Sequence, residues 1–169
     1  MLLSDLHKVI QTTMGWTNSH LHQFIHNNLF YTFRTPDDWM WDDNRQVDYK
    51  KKKVTISKLL AEEKDWMRYE YDFGDSWQHK VVLEKILPID PQQYYPVCVS
   101  GKRSCPPEDC GGVWGYADLC AKMKEPGSPG YDDLMDWLGD EFDPECFNIG
   151  EINEALASKN FGCIDMDFG

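Results

Sequence analysis

Trp66-Met-Arg-Tyr-Glu-Tyr-Asp-Phe73, followed by Gly74-Asp75 and then Trp77-Gln-His-Lys-Val-Val-Leu-Glu84, decides the fold. The first arm places Met67, Tyr69, Tyr71 and Phe73 on one face, and the second places Trp77, His79, Val81 and Leu83 on one face. Alternation of period two over both arms, in aromatic and β-branched residues, reads as a hairpin with one side in the core. Gly74-Asp75 is read as its turn. Burial of Tyr69, Tyr71 and Val81 follows.

Working outward, Leu6, Ile10 and Met14 recur at helical spacing beside Leu3 and Val9. Ser4 is the expected N-cap and Gly15 the C′ residue. Asn27-Asn28 separates His20–His26 from Leu29–Phe33 and predicts a second hairpin, since Asn tolerates positive φ. Residues 34–50 read as an Asp-rich loop displaying Trp39 and Trp41. Val54-Thr-Ile56 reads as a short strand and Ser57 as the cap of one helical turn. Beyond the loop-rich 88–107 stretch, Val113, Tyr116, Ala117, Cys120 and Met123 outline a helix that Asp109 would cap. Tyr131, Leu134, Met135 and Leu138 outline a second, closed by Gly139. Asn148 caps a third through Ile152, Ala155 and Leu156. The result is an α+β fold: a mostly antiparallel sheet of hairpins, helices packed on one face, and a helical C-terminal segment. One domain spans 1–169, divided into helix plus hairpins (1–86), a Pro/Gly/Cys loop (87–112) and an acidic helical part (113–169).

The chain of 169 residues carries a formal charge of −12. Up to residue 124 there are 17 acidic and 16 basic residues; from 125 onward there are 12 acidic and one basic, Lys159. The acidity therefore belongs to the C-terminal quarter, a solvated face or a dock for a basic partner. This balance argues against nucleic acid as the main partner, and the Lys50–Lys53 run reads as a solvated edge. No apolar stretch approaches a membrane span of about 20 residues. With no secretory or lipidation signal, a cytoplasmic location is expected. The six cysteines, Cys98, Cys105, Cys110, Cys120, Cys146 and Cys163, are then expected as thiols or metal ligands and not as a disulfide framework, with Cys120 and Cys146 as small core residues.

Tyr71-Asp-Phe-Gly-Asp-Ser-Trp-Gln-His79 and Pro106-Pro-Glu-Asp-Cys-Gly-Gly112 resemble the plasmid pRiA-type Orf-3-like family. So do Leu6 through Trp16 with His20-Leu-His22, Tyr95-Pro-Val-Cys98 with Gly101, and Trp137-Leu-Gly139 through Pro144. The resemblance implies a small α+β domain of prokaryotes and plasmids, some relatives being associated with mobile elements. It also implies a strand before the first helix, which here would lie upstream of Met1 or be replaced. A His between the Gly-Gly helix and the Trp-Leu-Gly helix is implied as well, where this chain reads Glu125-Pro-Gly-Ser-Pro-Gly130.

Nucleotide-loop, nucleophile-elbow and zincin motifs do not occur. The primary reading is a non-enzymatic binding module, using the acidic C-terminal face or the Trp39/Trp41 loop. The alternative is a small metal-dependent or Cys/His enzyme with its site between the 71–84 hairpin and the 98–112 loop. Its candidate catalytic residues are His79, Cys98, Glu108 and Asp109. His79, Cys98, Cys105 and Cys110 are the set that zinc would use, although their spacing matches no common structural site, so no cofactor is predicted. Asp72 and Asp75 read as turn chemistry. His20 and His22 read as sharing a polar strand face where a divalent ion binds weakly. Nonspecific duplex DNA is expected to bind weakly near physiological salt; a submicromolar affinity with a steep salt slope in an anisotropy titration would reverse that reading.

Overall fold

The alternation of residues 66–82 is realised as strands β4 (Trp66–Tyr71) and β5 (Trp77–Val82), with Met67, Tyr69, Tyr71 and Trp77 buried. Val81 is half-buried against the same core. The computed structural model describes residues 1–34, 44–139 and 142–165. Helix α1 (Leu3–Met14) precedes β1 (His22–His26), β2 (Leu29–Thr32) and β3 (Gln46–Asp48). After β5 come α2 (Gly112–Lys122), α3 (Tyr131–Leu138) and α4 (Ile149–Ala157), with 3-10 turns at Ile56–Lys58 and Lys159–Gly162. The sheet order is β3-β2-β1-β4-β5. All neighbours are antiparallel except β2 and β3, so the sheet is mixed.

Asn27 and Asn28 both take positive φ, as the tight β1–β2 turn requires. Register aligns Phe24 with Tyr31 and Tyr69, Tyr69 with His79, and Tyr71 with His22 and Trp77. These rings form the face covered by Leu3, Leu6, Ile10 and Met14 of α1. The opposite face carries Gln23, Arg68, Glu70, Gln78 and Lys80, with Arg68, Gln78 and Lys80 exposed. Gly15 ends α1 at φ +81, and the Asn148 carboxamide accepts from the Gly150 and Glu151 amides to start α4.

Several local expectations change. Ser4 lies inside α1, and the Leu2 amide donates to Asp5 instead. The β4–β5 turn spans residues 72–76, closed by the Ser76 amide on the Asp72 carbonyl, so Phe73 leaves the strand and is 49% exposed. Residues 46–48, expected in a loop, pair as an edge strand; Trp39 and Trp41 lie outside the described residues. Residues 54–56 contribute only the bridge of Thr55 to Leu2, and the turn after them has no side-chain cap. On α2 the buried positions are Gly112 and Leu119 with Tyr116 packed beside them, whereas Val113 and Ala117 are exposed. All six cysteines are free, and Cys146 is exposed rather than in the core. Among the described residues no helix is long and apolar enough to cross a membrane.

The core contains a polar chain. His7 Nε2 lies 2.8 Å from Asn18 Oδ1 and His7 Nδ1 lies 2.9 Å from the Tyr69 hydroxyl, which also accepts from Gln11 Nε2. Burial lowers the pKa of His7 from its ordinary 6.5 to about 4, with the Asn18 bond opposing. Burial likewise lowers His22 and His79. Below pH 6.5 the unfolded chain binds protons that the native chain refuses. Stability is therefore expected to be full above about pH 6.5 and to fall toward pH 4, His7 alone contributing a slope of up to about 1.4 kcal/mol per pH unit. Urea midpoints that stay level between pH 7 and pH 5 would contradict this.

Candidate functional site

Tyr71 ends β4 with its ring buried, and its hydroxyl must be satisfied at the rim of the core. It accepts from the Ser19 amide at 3.0 Å and donates to Glu108 Oε1 at 3.0 Å. Burial, reinforced by the Glu108 carboxylate, raises the Tyr71 pKa and keeps the phenol protonated. Glu108 Oε1 also accepts from the Thr17 amide at 2.9 Å and the Thr17 hydroxyl at 3.2 Å. Trp16 stacks on Tyr71 with ring centroids 4.7 Å apart and donates from Nε1 to the Pro106 carbonyl. The 16–20 turn and the 106–109 loop are thus fastened to one phenol.

This fastening brings His20 among three carboxylates. Its Nε2 lies 3.2 Å from Asp109 Oδ1, 3.6 Å from Glu108 Oε2 and 3.7 Å from Asp72 Oδ2. The same Nε2 is shielded from solvent and makes no hydrogen bond. Asp72 and Glu108 each divide their oxygens between two tasks. Asp72 Oδ1 accepts from the Gly74 amide at 2.9 Å and the Asp75 amide at 3.3 Å, leaving Oδ2 toward His20. Glu108 Oε1 holds the Thr17 contacts, while Oε2, 3.3 Å from the Tyr71 hydroxyl, lies toward the same point. Ligands on a cation with bonds of about 2.0–2.1 Å and tetrahedral angles sit roughly 3.4 Å apart; the ligand atoms of His20, Asp72 and Asp109 all lie within 4.8 Å of one another, and Glu108 stands beside them. Like charges this close repel, and a divalent cation relieves that repulsion while using the free Nε2. Mixed imidazole and carboxylate donors suit Zn²⁺ or Mn²⁺ better than a thiolate-seeking ion.

The sequence-selected residues separate. Glu108 and Asp109 belong to this cluster. Asp109 does not cap α2; Asp75 Oδ2 accepts from the Gly111 amide instead, and Asp109 is free to face His20. His79 packs edge-on to Trp16 at 5.4 Å and beside Tyr69 at 5.6 Å. Cys98 is pinned to α4 by a reciprocal pair of bonds, its amide to Asn153 Oδ1 and its carbonyl from Asn153 Nδ2. Cys105 and Cys110 pack against the core, where burial pushes both thiols up, Cys110 to about 11, opposite to the shift that a nucleophile needs. Among the described residues the group of three or more ligand-bearing side chains is His20, Asp72 and Asp109, not His79 with the cysteines. His22, expected on a polar face, is buried in the core. Asp72 had only its turn signal in the sequence, and one carboxylate can serve both a turn and a site.

A cleft of about 440 Å³ adjoins the cluster at Glu108. Trp16, Pro106, Trp137, Phe142 and Phe147 give it apolar walls, and Arg103 and Glu151 supply charge.

The family model for the plasmid pRiA4b ORF-3-like protein matches residues 1–151. The chain is 33% identical over 155 residues to the protein named uncharacterized protein y4hQ of Sinorhizobium fredii (strain NBRC 101917 / NGR234), covering 91% of this chain and 77% of that one. It is similar to the crystal structure of the protein of unknown function MM3350 from Methanosarcina mazei Go1, with a TM-score of 0.74 and 39% identity, covering 88% of this chain and 81% of that chain.

The Tyr71 hydroxyl organises the site, so Tyr71→Phe, which removes the donor to Glu108 and the acceptor for the Ser19 amide, is expected to cost about 1–3 kcal/mol in urea unfolding. A variant as stable as the unaltered chain would show that the hydroxyl is dispensable.

Proposed function

The chain belongs to the plasmid pRiA4b ORF-3-like protein family, and on that footing we propose that it is a divalent-metal-binding domain whose ion serves a ligand seated in the adjoining cleft. The observation that carries this reading is the convergence of Asp72 Oδ2, Glu108 Oε2 and Asp109 Oδ1 on an unbonded His20 Nε2. Asp72 and Glu108 are held by backbone and phenol donors, so these two are positioned before an ion arrives. Asp109 is largely exposed and closes the set from the solvent side. Ligand atoms or water would complete the coordination, and a bound water would become a stronger acid. The cleft's aromatic walls and Arg103 suit a ligand with an apolar body and an acidic group.

A second surface supports the binding-module reading. Asp132, Asp133 and Asp136 are exposed on α3, and a basic partner would find complementary charge there.

The metal reading is tested by calorimetric titration of chelator-stripped protein with Zn²⁺ and Mn²⁺. One ion per chain is expected. His20→Ala and Asp109→Ala are each expected to weaken binding about tenfold or more while far-UV circular dichroism is retained. Absence of saturable binding, or affinity unchanged in both variants, would falsify the assignment.

A further inference from the structure

The sheet order leaves β5 at an edge, and one bond fixes the phase of its backbone. The Leu83 amide donates to the Asp65 carbonyl, which continues the register that pairs Trp66 with Val82. Amides and carbonyls alternate in direction along a strand, so Trp77, His79, Val81 and Leu83 turn theirs toward β4. Gln78, Lys80, Val82 and Glu84 turn theirs outward, and all four residues are exposed. Among the described residues no backbone hydrogen bond outside the β4–β5 ladder reaches them.

Two of the devices that blunt a sheet edge, a proline and a bulge, are missing here. β5 contains no proline, and its register with β4 runs unbroken over six residues. No turn or bend interrupts the chain from Leu83 to Asp90. The third device, charge, is present in both signs, as Lys80 and Glu84.

The solvent face beside this edge is unfinished in the single chain. Trp66 pairs with Val82, and the two are 49% and 42% exposed. Arg68 pairs with Lys80, and like charges directly opposite each other in a sheet repel. Neither cation has an ion pair with a described residue, and neither does Glu84. Lys80 Nζ rests instead 5.1 Å from the Trp66 ring centroid.

We propose that β5 pairs antiparallel with β5 of a second copy of this chain about a two-fold axis at Val82, joining two sheets into one. The outward amides and carbonyls of Lys80, Val82 and Glu84 bond across the axis. Lys80 of each copy stands opposite Glu84 of the other, which supplies the missing carboxylate. The solvent face gains an apolar row, Trp66 and Val82 of one copy followed by Val82 and Trp66 of the other. Centring the pair on Lys80 or on Glu84 would oppose like charges. Centring it on Val81 or on Leu83 would set a charge against Val82. The side chains thus select the register that the backbone alone leaves open. The Ile86 amide turns back to Glu63 Oε1 of its own chain, which ends the pairing at Glu84. Each copy uses its β5 edge once, so the assembly closes at a dimer. Neither His20 nor its carboxylates take part, and the inference stands apart from metal binding.

The test is sedimentation velocity of the full chain, in EDTA and a reducing agent so that neither a metal nor an intermolecular disulfide links copies. Reversible monomer–dimer exchange with no larger species is expected. Val82→Pro removes only an outward amide, where an edge strand accepts proline, and is expected to weaken the dimer about tenfold or more with far-UV circular dichroism retained. Lys80→Glu sits favourably beside its own Arg68 but meets Glu84 of the second copy, and a similar weakening is expected. Lys80→Glu combined with Glu84→Lys is expected to restore the dimer. Within one strand these residues lie about 13 Å apart, so the exchange repairs nothing inside a single copy. Hydrogen–deuterium exchange at the Lys80, Val82 and Glu84 amides is expected to slow as concentration rises. A chain monomeric up to about 1 mM, a dimer indifferent to both single substitutions in folded chains, or a charge exchange that restores nothing would each overturn the proposal. Protection of these amides only by an added extended peptide of unrelated sequence would assign the edge to a foreign strand and overturn it as well.

Discussion

A phenol buried in a sheet still has a hydroxyl to satisfy, and two such phenols on β4 organise much of this molecule. Tyr69 and Tyr71 alternate onto the same face and are wholly buried. An unpaired buried hydroxyl costs about 1–3 kcal/mol, so each recruits chain from elsewhere. Tyr69 takes His7 and Gln11 from α1, which fixes the helix on the sheet in rotation as well as distance. Tyr71 takes Ser19 and Glu108, which fixes two loops against the strand end. Apolar packing by Leu3, Leu6 and Ile10 supplies the larger driving force but is less directional. The hydrogen bonds select one docking among those that burial alone would allow.

The same requirement explains why carboxylates crowd beside the core. Glu108 is the acceptor that Tyr71 and Thr17 need, and Asp72 is the acceptor that the 72–76 turn needs. Asp72 gives the turn one oxygen, and because β4 runs directly into that turn its other oxygen faces His20; Glu108, drawn to the end of β4 by Tyr71, faces the same histidine. A carboxylate is thus locally justified on structural grounds, and the cluster around His20 is a by-product of those local requirements.

Much of the fold was legible in the sequence because its signals are local. Period two in residues 66–82, Asn27-Asn28, Gly15, Gly139 and Asn148 each act within a few residues, and the structure places the expected feature at each. The short edge strand 46–48 carries no periodic signal; it exists because β2 offers it a partner. The site was less legible. Glu108 and Asp109 stood out beside paired prolines and glycines, but their association with His20 depends on Tyr71, a contact across distant sequence. His22 looked like a polar-face residue because histidine next to histidine suggests solvent. Register puts it opposite Tyr71, on the covered side, and only Tyr49 and the stacked His7 ring make that burial tolerable. The cysteines drew attention through chemistry that their surroundings suppress.

Residues 20–22 connect the two regions. The Asp72 amide donates to the Leu21 carbonyl, extending the β1–β4 ladder by one bond past its last paired residues. That bond sets Asp72 beside His20. It also fixes the pleat so that His22, one residue beyond Leu21, enters the core under α1. A one-residue slip of β1 would therefore do more than misplace an apolar side chain. It would remove His22 from Tyr49 and His7 and withdraw His20 from the carboxylates. Such a slip forfeits Phe24 packing between Tyr31 and Tyr69 and takes His22 from the Tyr49 hydroxyl. The polar contacts on either side of Leu21 thus act with Phe24 to hold one register, and the geometry around His20 follows from that register.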